Sequence, residues 1–87
     1  MPYRFIETRA WERGVENLNK NAKVSLPYAL DRIQDEPHEA PLRRRRSDGA
    51  WVDYGAAGLL IAYEVLEPDR IRLLEVADVK KEHRWSG

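Results

Sequence analysis

The chain has 87 residues, 15 Lys and Arg against 15 Asp and Glu, 43% hydrophobic residues and no cysteine. That is enough for one domain, residues 1–87, with a small core; it excludes a disulfide scaffold, a thiolate zinc site and a cysteine nucleophile. The longest apolar run, Ala56 to Tyr63, is far short of the roughly 20 residues of a membrane span, and MPYRFIET has no signal-peptide h-region, so a cytoplasmic protein without a membrane partner is expected.

Tyr3 to Glu7 alternates and is rich in aromatic and β-branched residues, which predicts a first strand over 3–7. Thr8 is placed to cap a helix over Arg9–Lys20, with Trp11, Val15 and Leu18 at helical spacing. Asn19-Lys20-Asn21 loosens that pattern. Ser25 then caps a second helix, Ser25–Asp35, with Pro27 in its tolerant first turn and Leu26, Ala29, Leu30 and Ile33 as its apolar face. Pro37 and Pro41 end it and impose an extended connection. Asp48-Gly49, the Gly55 to Gly58 segment and Glu67-Pro68-Asp69 are turn signals. They separate strands over 50–54, 59–66 and 71–77. The order is β-α-α-β-β-β, an α+β fold with two N-terminal helices packed on a mainly antiparallel four-stranded sheet.

The zero net charge hides an asymmetry. Residues 1–42 carry six Lys and Arg against seven Asp and Glu, and residues 47–87 carry five against eight. Without the run Arg43 to Arg46 the chain would stand at −4. A second cationic cluster is Lys80-Lys81-Glu82-His83-Arg84. Screening confines surface electrostatics to roughly 8–10 Å, so a concentrated patch attracts phosphate whatever the total charge. Against this stands the plain alternative of a solvated arginine loop. In the predicted topology the arginines enter the second strand and the Lys-Lys-Glu-His-Arg cluster leaves the fourth. The two could therefore meet on one open sheet face.

The segment LDRIQDEPHEAPLRRRRSDGAW, the tyrosine strand LLIAYEV and the finish IRLLEVADVKKEHR together resemble the RelE/ParE toxin superfamily of bacterial toxin–antitoxin systems, including its RelE, YoeB and HigB branches. The shared order is a helix ending in Asp-x-Pro, then Pro-Leu, a basic stretch, Gly-x-Trp, a tyrosine strand and an apolar strand with a basic tail. The resemblance implies a toxin that partners a cognate antitoxin. It also implies ribosome-dependent, metal-independent cleavage of mRNA by attack of a ribose 2′-hydroxyl on the adjacent phosphate, with no cofactor. That reaction needs a base, cations for the charge that builds on phosphorus, and an acid for the leaving oxygen. By the same resemblance Arg43, Arg44, Arg45 and Arg46 bind RNA, joined by Lys80 and Lys81; Trp85, an aromatic in a polar tail, is a further RNA-binding candidate that could stack on a base or dock on a partner. Arg45, Arg46, Lys81, His83, Arg84 and Glu39 are the catalytic candidates, with His83 as acid or base and Glu39 as a YoeB-like base.

Two departures keep a second branch open. Leu60, three residues before Tyr63, stands where ribonuclease members carry an arginine in an Arg-x-x-Tyr pattern. The last aromatic residue is Trp85 rather than a proton-donating tyrosine. The ParE branch, which inhibits DNA gyrase without ribonuclease chemistry, also lacks these residues. A gyrase-directed toxin or a catalytically degenerate antitoxin-binding protein is therefore the alternative. Trp51 and Tyr63 are read as packing residues rather than base-stacking platforms, and Asp53 as facing solvent or a basic side chain. His38 has no companion ligands for a metal.

Overall fold

Thr8 turns the chain from strand to helix. Its side-chain oxygen accepts from the Trp11 amide at 3.2 Å, and its hydroxyl donates to the Leu73 carbonyl at 2.8 Å. One residue thus caps a helix and pins it to a strand 65 residues away. The computed structural model describes residues 3–38, 43–56 and 58–78. Its elements are β1 (Arg4–Glu7), α1 (Arg9–Glu16), α2 (Lys20–Asp35), β2 (Arg43–Arg45), β3 (Trp51–Ala56), β4 (Leu59–Leu66) and β5 (Arg70–Asp78).

The fold is α+β, as the sequence predicts, but the sheet has five strands in the order β1-β5-β4-β3-β2. β1 lies parallel to β5, and the other three pairings are antiparallel. The expected four-stranded sheet is corrected in two ways. The extra strand is the arginine run itself, which pairs residue for residue with Asp53, Val52 and Trp51. The first and last strands run parallel because the two helices carry the chain across the sheet between β1 and the antiparallel meander, making the sheet mixed.

The helix boundaries also differ from the pattern. α1 ends at Glu16, and α2 begins five residues before Ser25 because the Asn19 side chain accepts from the Ala22 amide at 2.8 Å. Asn19 is a cap here, where the sequence suggests a break. Ala22 extends the stripe of Leu26, Ala29 and Ile33 backward by one turn, so apolar burial continues across the predicted gap. Pro27 lies inside the helix. Both Pro27 and Lys23, whose carbonyl would have received the missing N–H, are exposed, so water can take that hydrogen bond.

The core joins that stripe, with Trp11 and Leu18, to Leu59, Ile61, Tyr63, Ile71, Leu73 and Val76 of the sheet. α1 approaches β5 closely at Gly14, where a β-carbon would fall 2.7 Å from the Val76 carbonyl oxygen; only glycine permits that spacing. Strand alternation therefore gives the sheet one helix-covered face and one opposite face carrying Arg44, Val52, Leu60, Ala62, Glu64, Arg72 and Glu75. No helix among the described residues is long and apolar enough to cross a membrane.

Candidate nucleic-acid interface

Because the arginine run is a strand, its period of two splits the four cations. Arg43 points inward. Its side chain is 1% exposed and reaches Asp53 Oδ2 through Nε at 3.2 Å and Nη2 at 3.0 Å. Its Nη1 donates to the carbonyls of Glu36 and His38, and the guanidinium lies over the Tyr63 ring, 5.7 Å from its centroid. Asp53 is itself buried, and Arg32 from α2 donates to its other oxygen. Tyr63 completes the cluster by donating to the Pro37 carbonyl at 2.7 Å. Three successive carbonyls beyond the end of α2, those of Glu36, Pro37 and His38, thus receive donors from the sheet. A buried charge needs such full satisfaction. Burial also pushes the Tyr63 phenol well above its ordinary ionisation range, with the nearby Arg43 opposing.

The other three arginines are placed differently. Arg46 donates to Asp48 at 2.7 Å and lies 3.7 Å from Glu75. That hydrogen bond is the main cause holding the Asp48 carboxyl below its ordinary value. Asp48 also accepts from the Ala50 amide at 3.0 Å, which closes the β2–β3 turn around Gly49, whose φ of 92° favours glycine. Arg44 and Arg45 are exposed and make no ion pair among the described residues. Arg45 lies over the half-buried Trp51, with its guanidinium 4.7 Å from the ring centroid. That contact engages the face of the guanidinium, and no carboxylate among the described residues engages its N–H donors.

Beside this pair is a cavity of about 240 Å³ lined by His38, Arg45, Asp48, Gly49, Trp51 and residues 64–67. It forms because β4 outruns β3: the last β3–β4 pair is Trp51 with Tyr63, while β4 continues to Leu66 with only β5 beside it. His38 Nε2 is 2.7 Å from Glu67 Oε1, and the Tyr3 hydroxyl donates to Glu67 Oε2 at 3.3 Å. Glu64 Oε1 accepts from Arg72 at 3.2 Å.

Of the residues predicted from sequence, Arg43 is drawn into the interior, so Arg44 and Arg45 are the exposed members of the run without an ion pair among the described residues. Arg46 is partly engaged by carboxylates. Glu39, Lys80, Lys81, His83, Arg84 and Trp85 lie outside the described residues, as does any meeting of the two basic clusters. Leu60 projects from the helix-free face beside Ala62 and Val52, so the central position expected to hold an arginine is apolar. Asp53 faces basic side chains, in agreement with one of its two predicted settings. Sequence reading misses the role of Arg32 and the His38–Glu67–Tyr3 group. Arg32 is separated from Asp53 by 21 positions, and no local pattern marks that pairing. The alternation of Arg43 and Asp53 against Tyr63 is the available signal. It becomes legible only once the run is recognised as a strand. Among the described residues there is no cluster of His, Asp and Glu that could hold a metal.

No protein-family model and no curated protein matches the chain. Two solved structures do. A chain of the toxin–antitoxin complex RelBE2 from Mycobacterium tuberculosis aligns with a TM-score of 0.72 and 16% identity, over 90% of this chain and 99% of that one. A doubly arginine-to-alanine mutant of the E. coli toxin RelE in the free state aligns with a TM-score of 0.71 and 14% identity, over 99% of this chain and 93% of that one. The likeness is one of fold, and it extends over nearly the whole chain.

Proposed function

We propose that this protein is the toxin of a toxin–antitoxin pair, and that it acts as a RelE-like endoribonuclease on mRNA at the ribosome. The observation that carries the reading is the pair Arg44 and Arg45: two exposed arginines without a carboxylate partner among the described residues, on the edge strand of a fold shared with RelE. The likeness to a chain of the RelBE2 complex supports a protein antitoxin as the partner. Arginines suit phosphate because the guanidinium stays cationic and presents paired donors.

In this reading a base, Glu39 or His83, takes the proton of a ribose 2′-hydroxyl. Its oxygen then attacks the adjacent phosphorus. Arg45 and Arg46, with Lys81 and Arg84, offset the charge on the phosphorane. His83 in its protonated form returns a proton to the departing 5′-oxygen. Arg46 can join by exchanging its exposed carboxylate partners for phosphate oxygens. Leu60 supplies no cation, so slow cleavage is expected; a missing electrostatic donor costs on the order of 10²–10³-fold.

The withdrawal of Arg43 and the apolar Leu60 favour a second reading, a ParE-like toxin acting on gyrase or a degenerate antitoxin-binding protein. Induced expression in a bacterial host distinguishes them. Growth arrest with fragmented cellular mRNA supports the ribonuclease. Arrest with intact mRNA and altered plasmid supercoiling supports the gyrase reading.

A further inference from the structure

We infer that Tyr54 and Arg44 form a nucleotide platform on the helix-free face of the sheet, where the tyrosine ring stacks on one unpaired base of single-stranded RNA and the guanidinium holds a phosphate beside it. The platform rests on the RNA-directed reading above; it adds a base contact and the face of the sheet on which the strand lies.

Register places both residues. Arg43 and Asp53 pair across β2 and β3 and meet on the helix-covered side, so the next residue of each strand, Arg44 and Tyr54, is turned to the other side. Arg44 stands opposite Val52, two residues before Tyr54, which makes Arg44 and Tyr54 diagonal neighbours about 7–8 Å apart at the backbone. Just there the β3–β4 register slips by one residue, because Asp53 pairs with Ile61 but Ala56 with Leu59. A bulge of this kind bends its strand and re-aims a side chain. Tyr54 is 43% exposed, whereas the other two exposed large hydrophobic residues, Val24 and Tyr28, lie on α2. Among the described residues it is therefore the one exposed large apolar side chain of the sheet.

Charge at this point favours phosphate. Arg44 is exposed and makes no ion pair among the described residues. The carboxylates of the same face are engaged by other cations, Glu64 by Arg72 at 3.2 Å and Glu75 by Arg46 at 3.7 Å. Val52 and Ala62, which continue the row from Arg44, are buried and uncharged. Arg45 and Trp51 lie on the other side of the sheet and take no part. An acidic peptide would satisfy the cation alone. A nucleotide satisfies both residues, with a π-face for the ring and anionic oxygens for the guanidinium. Every base has a π-face, so the platform holds RNA without reading its sequence.

The test is fluorescence anisotropy with the full-length protein at low salt, comparing a labelled oligo(C) hexaribonucleotide with an abasic hexamer of the same backbone. Wild type should bind oligo(C) about tenfold more tightly than the abasic hexamer, the effect of one stacked base. Tyr54→Ala should lose that advantage and keep the salt slope. Tyr54→Phe retains the ring and should bind like wild type. Arg44→Ala should lower the salt slope by about 0.7, the share of one phosphate. Equal binding of the two hexamers by wild type, or a Tyr54→Phe protein that loses as much as Tyr54→Ala, overturns the platform. An unchanged slope in Arg44→Ala overturns it as well. A parallel assay of mRNA cleavage on ribosomes separates the two proposals. Cleavage with RNA binding that is indifferent to the ring removes the platform and leaves the nuclease. Ring-dependent binding without cleavage leaves the platform and removes the nuclease. Absence of both binding and cleavage removes both.

Discussion

The Tyr63 hydroxyl donates to the Pro37 carbonyl at 2.7 Å, tying the centre of β4 to the segment that follows α2. That bond, with the two that Arg43 gives to Glu36 and His38, fixes where His38 meets Glu67 and hence one wall of the cavity. Tyr63→Phe leaves the carbonyl without its buried donor. It should cost about 1–3 kcal/mol in urea unfolding. The phenol also predicts alkaline behaviour. Its ionisation is raised in the folded state, so its contribution to stability is full below the ordinary tyrosine value and is lost as pH rises through the folded one. In an ultraviolet pH titration one tyrosine step should lie well above the ordinary tyrosine value, and Tyr63→Phe should remove it.

Arg43→Ala should unfold or severely weaken the domain. It leaves Asp53 with only part of its buried partnership and frees the Glu36 and His38 carbonyls. Breaking one partner of a buried pair costs about 3–5 kcal/mol. Thermal denaturation should place Arg43→Ala far below Arg44→Ala, although the two residues are adjacent and chemically identical. Equal melting temperatures would contradict the assigned burial.

Asp48 should titrate below its ordinary value of 3.8, chiefly because Arg46 hydrogen-bonds it. Its folded-state contribution is therefore present above that value and lost as pH falls through the lowered one. Carboxyl carbon shifts followed by NMR should show the low midpoint. Arg46→Ala should move it upward.

Arg44 and Arg45 are the members of the run exposed without an ion pair among the described residues, so they should hold most of the phosphates that the run binds. Changing both to Ala should reduce the salt dependence of single-strand RNA binding, by a slope of about 0.7 for each phosphate no longer neutralised. An unchanged slope would place the polyanion-binding residues elsewhere on the chain.

The fold is largely legible in the sequence because alternation and turn residues are local signals. Tyr3 to Glu7 and Leu59 to Leu66 read directly as strands, and Thr8 reads as a cap. Arg43 to Arg45 do not, since four like charges carry no apolar alternation; their strand pairing is stabilised by the distant Asp53 and Tyr63. Asn19 reads as a break because a helix cap and a loop favour the same residue type. The cationic character of the site is visible from composition. Its division into one interior arginine and two exposed ones requires the register between β2 and β3.

Primer extension on an mRNA in a reconstituted translation reaction tests the central claim most directly. New 3′ ends should appear within the ribosome-engaged message only when ribosomes and this protein are both present, and Arg45→Ala and His83→Ala should reduce them. A message that stays full length while the protein arrests growth would contradict it.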